Sequence, residues 1–200
     1  MRIAILALQG AFAEHQQMLT RLGADTFLVR NLDDWQQHKD GLVIPGGEST
    51  AMLRIMNDEH LMKPIRNAIS DGLPVLGTCA GMILLAESVE NDTRERLATM
   101  DITVRRNAYG RQLGSFFTVG RVKGVGNDIP MTFIRAPYIT AVGADAEPLA
   151  EVDGHIVAAS QHNQIVCSFH PELNSDTRFH EHFLAKVEAS IISSNIKEIV

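Results

Sequence analysis

The chain has 200 residues, room for one large domain or two small ones, and one is the better expectation. Its hydrophobic fraction of 45% and charged fraction of 21% are those of an ordinary globular chain, and a net charge of −6 argues against nucleic acid as a partner. No apolar run approaches the ~18 residues of a membrane span, and two cysteines make no disulfide framework, so the expected setting is a reducing cytoplasm.

Residues 2–8 read as a buried first strand rather than a signal peptide, because no small-residue cleavage site follows. Gln9-Gly10 is a turn. Phe12, His15, Leu19 and Leu22 recur at helical spacing, and Gly23 closes that helix. A second strand follows at 26–29, then a short helical or irregular link at 31–37. Residues 42–44 are a third strand, ended by Pro45. Ser49 is a candidate N-cap for a helix through Met56. Residues 61–70 form another helix, with Pro64 near its start, where proline is tolerated. Residues 72–76 are a turn and a short buried strand, and 82–86 are helix-compatible. Strand and helix alternate throughout this half. That predicts a three-layer, flavodoxin-like α/β fold: a mostly parallel sheet with helices on both faces.

Residues 89–97 are polar and read as a surface loop. Beyond them the pattern changes. Short strands are expected at 102–104, 115–122, 131–134, 139–142 and 156–159, between Gly, Pro and Asp turns. They predict a small antiparallel extension, packed as an added sheet rather than a second domain. Residues 165–169 are a last core strand. Phe179, Phe183, Val187 and Ile191 lie four apart, so 176–194 is an amphipathic closing helix with Asp176 a candidate cap.

Active sites of such sheets lie at the carboxyl ends of the strands, and three chemistry-bearing stretches fall there. Gly77-Thr78-Cys79-Ala80-Gly81 has the small-x-nucleophile-x-small pattern of a nucleophile elbow, with Cys in place of Ser. The glycines leave room for a turn too tight for a Cβ on either flank. The N-terminus of the following helix favours a thiolate. A lone cysteine after a strand is as often inert packing, so the elbow needs a base and an anion-stabilising loop.

His170-Pro171-Glu172 follows the strand 165–169. In an extended segment residues i and i+2 point the same way, so Glu172 can fix the tautomer of His170 and leave its other nitrogen to Cys79. Taken alone, the same three residues are a polar turn. Pro45-Gly46-Gly47-Glu48-Ser49 is a natural oxyanion loop. Gly47 and the N–H of Ala80 would be the donors. An ordinary strand-to-helix turn would look the same.

Pro-Gly-Gly, Gly-Thr-Cys-Ala-Gly and Phe-His-Pro-Glu, in that order, resemble the class I (triad) glutamine amidotransferases. Residues 7–12 with Glu14-His15, residues 45–50, Arg105-Arg106-Asn107 with Tyr109-Gly110-Arg111-Gln112, and residues 133–137 narrow the likeness. They resemble the glutaminase-subunit family of pyridoxal 5′-phosphate synthases nearly end to end. The charged connector at 90–97 departs from that family, which commonly has a glycine-rich segment there.

The resemblance implies hydrolysis of L-glutamine to glutamate and ammonia. It implies a hetero-oligomer with a synthase subunit that builds pyridoxal 5′-phosphate from ribose 5-phosphate and glyceraldehyde 3-phosphate. No metal or cofactor is implied on this chain. Cys79 would be the nucleophile, His170 the base and Glu172 its orienter. Gly47, Glu48, Ser49, Arg106, Ile134 and Arg135 would line the glutamine site. An arginine suits a carboxylate and Glu48 an ammonium, but which group meets which stays open, and Arg105 and Arg111 read equally well as solvated charges. Three rivals weigh less. A flavodoxin-like cysteine hydrolase or deglycase lacks the His-Pro-Glu after the last strand. A binding module without activity does not need Cys79, His170 and Glu172 intact. A histidine- or tryptophan-pathway amidotransferase does not share the Leu-Gln-Gly-Ala and Ile-Arg-Ala-Pro stretches.

Overall fold

The computed structural model describes residues 1–106 and 114–199; the motif residues Asn107, Tyr109, Gly110, Arg111 and Gln112 lie outside them. In chain order the elements are β1 (Arg2–Leu6), α1 (Phe12–Arg21), β2 (Asp25–Val29), α2 (Leu32–Trp35), β3 (Gly41–Ile44), α3 (Ser49–Asp58), α4 (Met62–Ser70), β4 (Val75–Thr78) and α5 (Ala80–Leu85). Then come β5 (Ala86–Val89), β6 (Met100–Arg105), β7 (Ser115–Val122), β8 (Gly126–Ile134), β9 (Tyr138–Val142), β10 (Glu147–Val152), β11 (His155–Gln161), β12 (Gln164–Cys167) and α6 (Arg178–Ile199).

The main sheet runs β2-β1-β3-β4-β12-β11-β9-β6-β5, with β10 paired to β11. Its first five strands are all parallel. Strands β3, β4 and β12 are buried at every residue, as strands covered on both faces must be. The alternation along β1 shows the two layers. Ala4 and Leu6 pack with Met52 and Met56 of α3, Ile65 of α4 and Leu84 of α5. Ile3 and Ile5 face the other way, with Leu19 of α1 and Phe179, Phe183 and Val187 of α6. Period-2 alternation in a strand thus meets period-3.6 stripes on helices above and below. The expected three-layer α/β architecture is what is found.

The antiparallel part divides in two. Strands β11, β10, β9 and β6 continue the main sheet beyond β12, with β5 parallel to β6 at the far edge. Only β7 and β8 form a separate two-stranded sheet. That hairpin packs Ile129, Met131 and Phe133 against Phe169 and Phe179, and the carbonyl of Thr132 accepts a 2.8 Å hydrogen bond from the His170 N–H. The hairpin therefore braces the segment that leaves β12.

Several local expectations change. Ser49 is not the cap of α3 but its first residue. Glu48 caps instead, its carboxylate accepting from the N–H groups of Thr50 (3.0 Å) and Ala51 (2.7 Å). An acidic cap serves the same orphan donors and also meets the helix dipole. Helix α4 starts at Met62, and α6 is longer than expected, with Asp176 accepting from the Arg178 N–H. Strands β5 and β10 were not anticipated. Residues 89–97 are more than a surface loop: Leu97 is fully buried, Arg96 nearly so, and Arg66 donates to the carbonyls of Arg96 and Leu97.

Candidate active site

Strands β4 and β12 are parallel neighbours, with Thr78 registered against Cys167. Their carboxyl ends therefore deliver Cys79 and the 168–172 segment to one place. The Cys79 N–H donates 2.7 Å to the Cys167 carbonyl, and Cys79 has a φ of +48°. A left-handed conformation at a non-glycine residue is strained, and the packing around it must hold it. The flanking glycines show how tight the turn is. A Cβ on Gly77 would press on Leu85 and on the backbone of Gly81, and one on Gly81 would overlap the Ile44 carbonyl.

His170 stands against this elbow. A Cβ on Gly46 would strike both its ring and the Cys79 Cβ, so the three residues are in mutual contact distance. His170 Nδ1 lies 2.7 Å from Glu172 Oε1, inside a wholly enclosed carboxylate environment. Burial works to lower the His170 pKa. Hydrogen bonds to Cys79 and Glu172 and their charges outweigh it, so the imidazolium is held above its ordinary range. Burial likewise works to raise the pKa of Glu172, but His15 and His170 prevail and keep it ionised.

Cys167 differs from Cys79. It is fully enclosed in β12, and burial pushes its thiol well above the ordinary value, with the Glu172 and Cys79 charges adding to that. A thiol of that kind is a poor nucleophile.

A pocket of about 410 Å³ opens over Cys79 and His170. Gly47, Glu48, Ser49, Arg106, Ile134 and Arg135 all border it, together with Gln9. Ala80 is buried at the start of α5, and Glu172 lies behind His170; neither borders the pocket. The Glu48 N–H donates to Gln9 Oε1 at 2.5 Å, so the peptide after Gly47 is pinned by a side chain from the loop after β1. Glu48 is also engaged. Partial burial raises its pKa, but the Thr50 and Ala51 N–H groups, with Arg106 behind them, lower it overall. Arg106 reaches Glu48 Oε1 at 3.4 Å and Asp92 Oδ2 at 3.3 Å. Asp92 gathers Arg94, Arg96 and Arg106 around one carboxylate, whose pKa falls far below the usual range, chiefly through its hydrogen bonds from Arg94. Arg105 faces elsewhere, paired with Glu90 at 2.6 Å and with the Tyr138 hydroxyl. Arg135 has a φ of +45°, and its N–H donates to the Gly114 carbonyl.

Residues 5–189 match the SNO glutamine amidotransferase family. The chain belongs to that family. It is 56% identical over 187 residues to the pyridoxal 5′-phosphate synthase subunit PdxT of Streptococcus pneumoniae strain CGSP14, covering 92% of this chain and 96% of the relative. The PdxT of strain TIGR4 is 55% identical over the same length. A crystal structure of a glutamine amidotransferase superposes with a TM-score of 0.88 at 36% identity, covering 93% of this chain and 98% of that one. PurLQS from Thermotoga maritima, at 16% identity and a TM-score of 0.60, shares the fold over 96% of this chain and 98% of its own.

Four groups near the site were given no role from sequence, although Thr78 and His15 fall within its motifs. Thr78, His15 and His180 lie behind Glu172, and Asp92 lies at the pocket rim. His15 did carry a signal: it occupies the apolar stripe of its helix, and a buried histidine requires a polar partner. Asp92 carried little: Arg94 and Arg96 lie in its own segment and look like solvated charge, and only the tertiary contact with Arg106 ties it to the pocket. Among the described residues, no cluster of His, Cys, Asp and Glu is placed to hold a metal, and no helix is long and apolar enough to cross a membrane.

Proposed function

We propose that the chain is the glutaminase subunit of a pyridoxal 5′-phosphate synthase, acting as one amidotransferase domain in the cytoplasm. It hydrolyses L-glutamine to glutamate and ammonia and hands the ammonia to a synthase subunit in a hetero-oligomer. The synthase uses it to build pyridoxal 5′-phosphate from ribose 5-phosphate and glyceraldehyde 3-phosphate. The observation that carries the reading is the enclosed 2.7 Å contact between His170 Nδ1 and Glu172 Oε1, directly behind a strained elbow cysteine.

The Cys79 thiolate attacks the side-chain amide carbon. The carbonyl π electrons move onto oxygen, where the N–H groups of Ala80 and Gly47 receive the charge. His170 gives its proton to the amide nitrogen as the carbon–nitrogen bond breaks, and ammonia leaves a glutamyl thioester. His170 then takes a proton from water, whose oxygen attacks the thioester. The carbon–sulfur bond breaks and glutamate leaves. Glu172 keeps the His170 tautomer and stabilises its cation throughout. Gly47, Glu48, Ser49, Arg106, Ile134 and Arg135 surround the amino-acid end of glutamine.

Free ammonia is wasted without a synthase, so activity should be low in the isolated chain. The loop after β3 offers the switch. One lost oxyanion donor costs ~3 kcal/mol, about a hundredfold or more, so turning one peptide at Gly47 is enough. The test is glutamate release by the isolated chain and by the chain with its synthase subunit. Low release that rises on mixing is expected. No release in the complex would overturn the function, and full release by the chain alone would overturn the switch.

A further inference from the structure

Behind the Cys79–His170–Glu172 cluster the buried polar contacts continue into the protein. Glu172 has two carboxylate oxygens. Oε1 faces His170, and Oε2 is shut off from solvent with no well-formed hydrogen bond among the described residues. A ring nitrogen, His15 Nε2, lies 3.3 Å from it. The same nitrogen lies 3.1 Å from Thr78 Oγ1, one residue before the nucleophile. On its other side His15 Nδ1 lies 2.9 Å from His180 Nε2, and His180 Nδ1 has no partner. Both rings are fully enclosed.

Two proton arrangements fit these distances. In one, His180 donates Nε2–H to His15 Nδ1, and His15 donates Nε2–H toward Glu172 and Thr78. In the other, His15 donates Nδ1–H to His180 and turns a bare Nε2 lone pair on an ionised carboxylate. The second places two acceptors face to face and leaves a buried N–H on His180 unpaired. The first leaves only a bare nitrogen lone pair there, and it supplies the donor that a buried carboxylate needs.

The geometry points to His15 as a positioning residue for the reaction: its Nε2–H anchors the second oxygen of Glu172, and His180 fixes the tautomer that makes this possible. The inference rests on the glutaminase reading above. It assigns a chain of aligned donors, His180 to His15 to Glu172, with His170 donating to the same carboxylate from the other side. With Oε1 against His170 and Oε2 facing the His15 donor at 3.3 Å, rotation of Glu172 away from His170 Nδ1 is opposed. His15 must also stay neutral, since a cation there would compete with the His170 imidazolium for the same carboxylate. The groups facing it decide this. They are Glu172 and His170 from the segment after β12, Thr78 from β4, His180 from α6 and Glu14 on its own helix. Burial and the neighbouring His170 work against a proton, Glu172 and Glu14 work for it, and burial prevails.

The test uses the complex with its synthase subunit. His15→Leu keeps bulk and removes the donor; His15→Gln places an amide N–H within reach of the same spot. For His15→Leu, kcat should fall tenfold or more while the KM for glutamine stays within twofold. The acid limb of kcat should move to higher pH, because a carboxylate that loses a donor binds its proton more readily. His15→Gln should recover at least half of the loss on a logarithmic scale. Nitrogen-15 spectra of the wild-type chain alone should show His15 neutral with the proton on Nε2 between pH 6 and 8.

A folded His15→Leu with kcat within twofold of wild type would overturn the proposal. So would a loss shared equally by kcat and KM with an unmoved acid limb, or a proton found on Nδ1. If His15→Leu does not fold, His15→Gln and the wild-type tautomer decide. A wild-type complex that releases no glutamate would sink the glutaminase reading instead, and the tautomer measurement remains separate from it.

Discussion

The two walls of the pocket are built on opposite principles. On the β4–β12 side, Cys79, His170 and Glu172 are buried, stand at strand ends, and are held by backbone contacts such as Cys79 N–H to the Cys167 carbonyl and His170 N–H to the Thr132 carbonyl. On the other side, Glu48 and Arg106 are partly exposed and sit on a helix cap and a loop; Glu48 is held by the α3 N–H groups, and Arg106 by Glu48 and by Asp92, which also gathers Arg94. The first wall is positioned by the fold itself. The second is positioned by ion pairs that water and salt can weaken. Bond-making groups need sub-ångström placement, whereas groups that hold a flexible amino acid tolerate some adjustment.

The sharpest way to break this contrast is at the buried wall. Cys79→Ala should lower glutamate release by at least roughly 10⁴-fold, as removal of a nucleophile does in comparable triads. Its thermal midpoint should stay close to wild type, because alanine fits the same turn. A glutamine-like electrophile should label Cys79 and leave Cys167 untouched. An adduct on Cys167 would show that the wrong thiol has been assigned. Glu172→Gln comes next. It should cut kcat by about a hundredfold or more with glutamine affinity nearly unchanged, since the wrong His170 tautomer becomes available. A kcat within about twofold of wild type, roughly 0.4 kcal/mol, would remove Glu172 from the mechanism.

The same contrast governs what could be read from sequence. The buried wall was legible because its residues are fixed by local grammar. A strand that turns into a helix around Gly77 and Gly81 has few alternatives. The pairing of His170 with Glu172 was also foreseen, but not its geometry: the strand ends at Cys167 and Pro171–Leu173 form a 3-10 turn, so Glu172 reaches Nδ1 across a tight turn rather than along an extended segment. The parallel order followed from alternating elements. The rim was legible only through likeness to a family. Ser49 looked like a cap, yet Glu48 does that work, because either side chain can satisfy the same N–H groups. Residues 89–97 looked like solvated polar chain. Arg94 and Arg96 meet Asp92 within one segment, but the links from that cluster to Thr50 and to Arg106 are tertiary, with no periodicity to announce them. Strand β10 was missed for a related reason: it lies on a sheet edge, and the register shifts along β10–β11 break the alternation that would mark it.

The buried wall also makes a prediction about acid. In an unfolded chain His180 takes up a proton as pH falls through about 6.5, whereas burial first, and then His15, hold it in the fold down to about 3. Between those values the unfolded state binds more protons, so stability falls as pH falls. From pH 7 to pH 5 this group alone should cost about 2 kcal/mol. His15 shifts in the same direction. His170, whose pKa is raised, works the other way and favours the fold slightly more at pH 5 than at pH 7. Comparison with His180→Leu isolates the single group. Urea midpoints at the two pH values should show the variant less stable at pH 7, where His15 has lost a partner, but losing about 2 kcal/mol less on acidification. Equal losses in the two proteins would mean that His180 is not held neutral.

The smallest effect belongs to the rim. Asp92 touches no part of the pocket lining except through Arg106, so Asp92→Asn tests whether the ion-pair wall positions that arginine or only neutralises it. Removing the charge leaves Arg106 with Glu48 at 3.4 Å and the Thr50 hydroxyl at 3.5 Å, both exposed, which is a weak tether. A freed arginine must be ordered again when glutamine binds. Ordering a side chain of this kind costs about 1 kcal/mol, roughly fivefold in affinity. The KM for glutamine should therefore rise about fivefold, while kcat stays within twofold because the buried wall is untouched. Salt sharpens the test. If the network works through exposed ion pairs, raising ionic strength should move the wild-type KM toward that of the variant and should move the variant less. A lower KM in Asp92→Asn would reverse the picture: Asp92 would then be competing with the substrate for Arg106, and the charged connector would restrain binding instead of preparing for it.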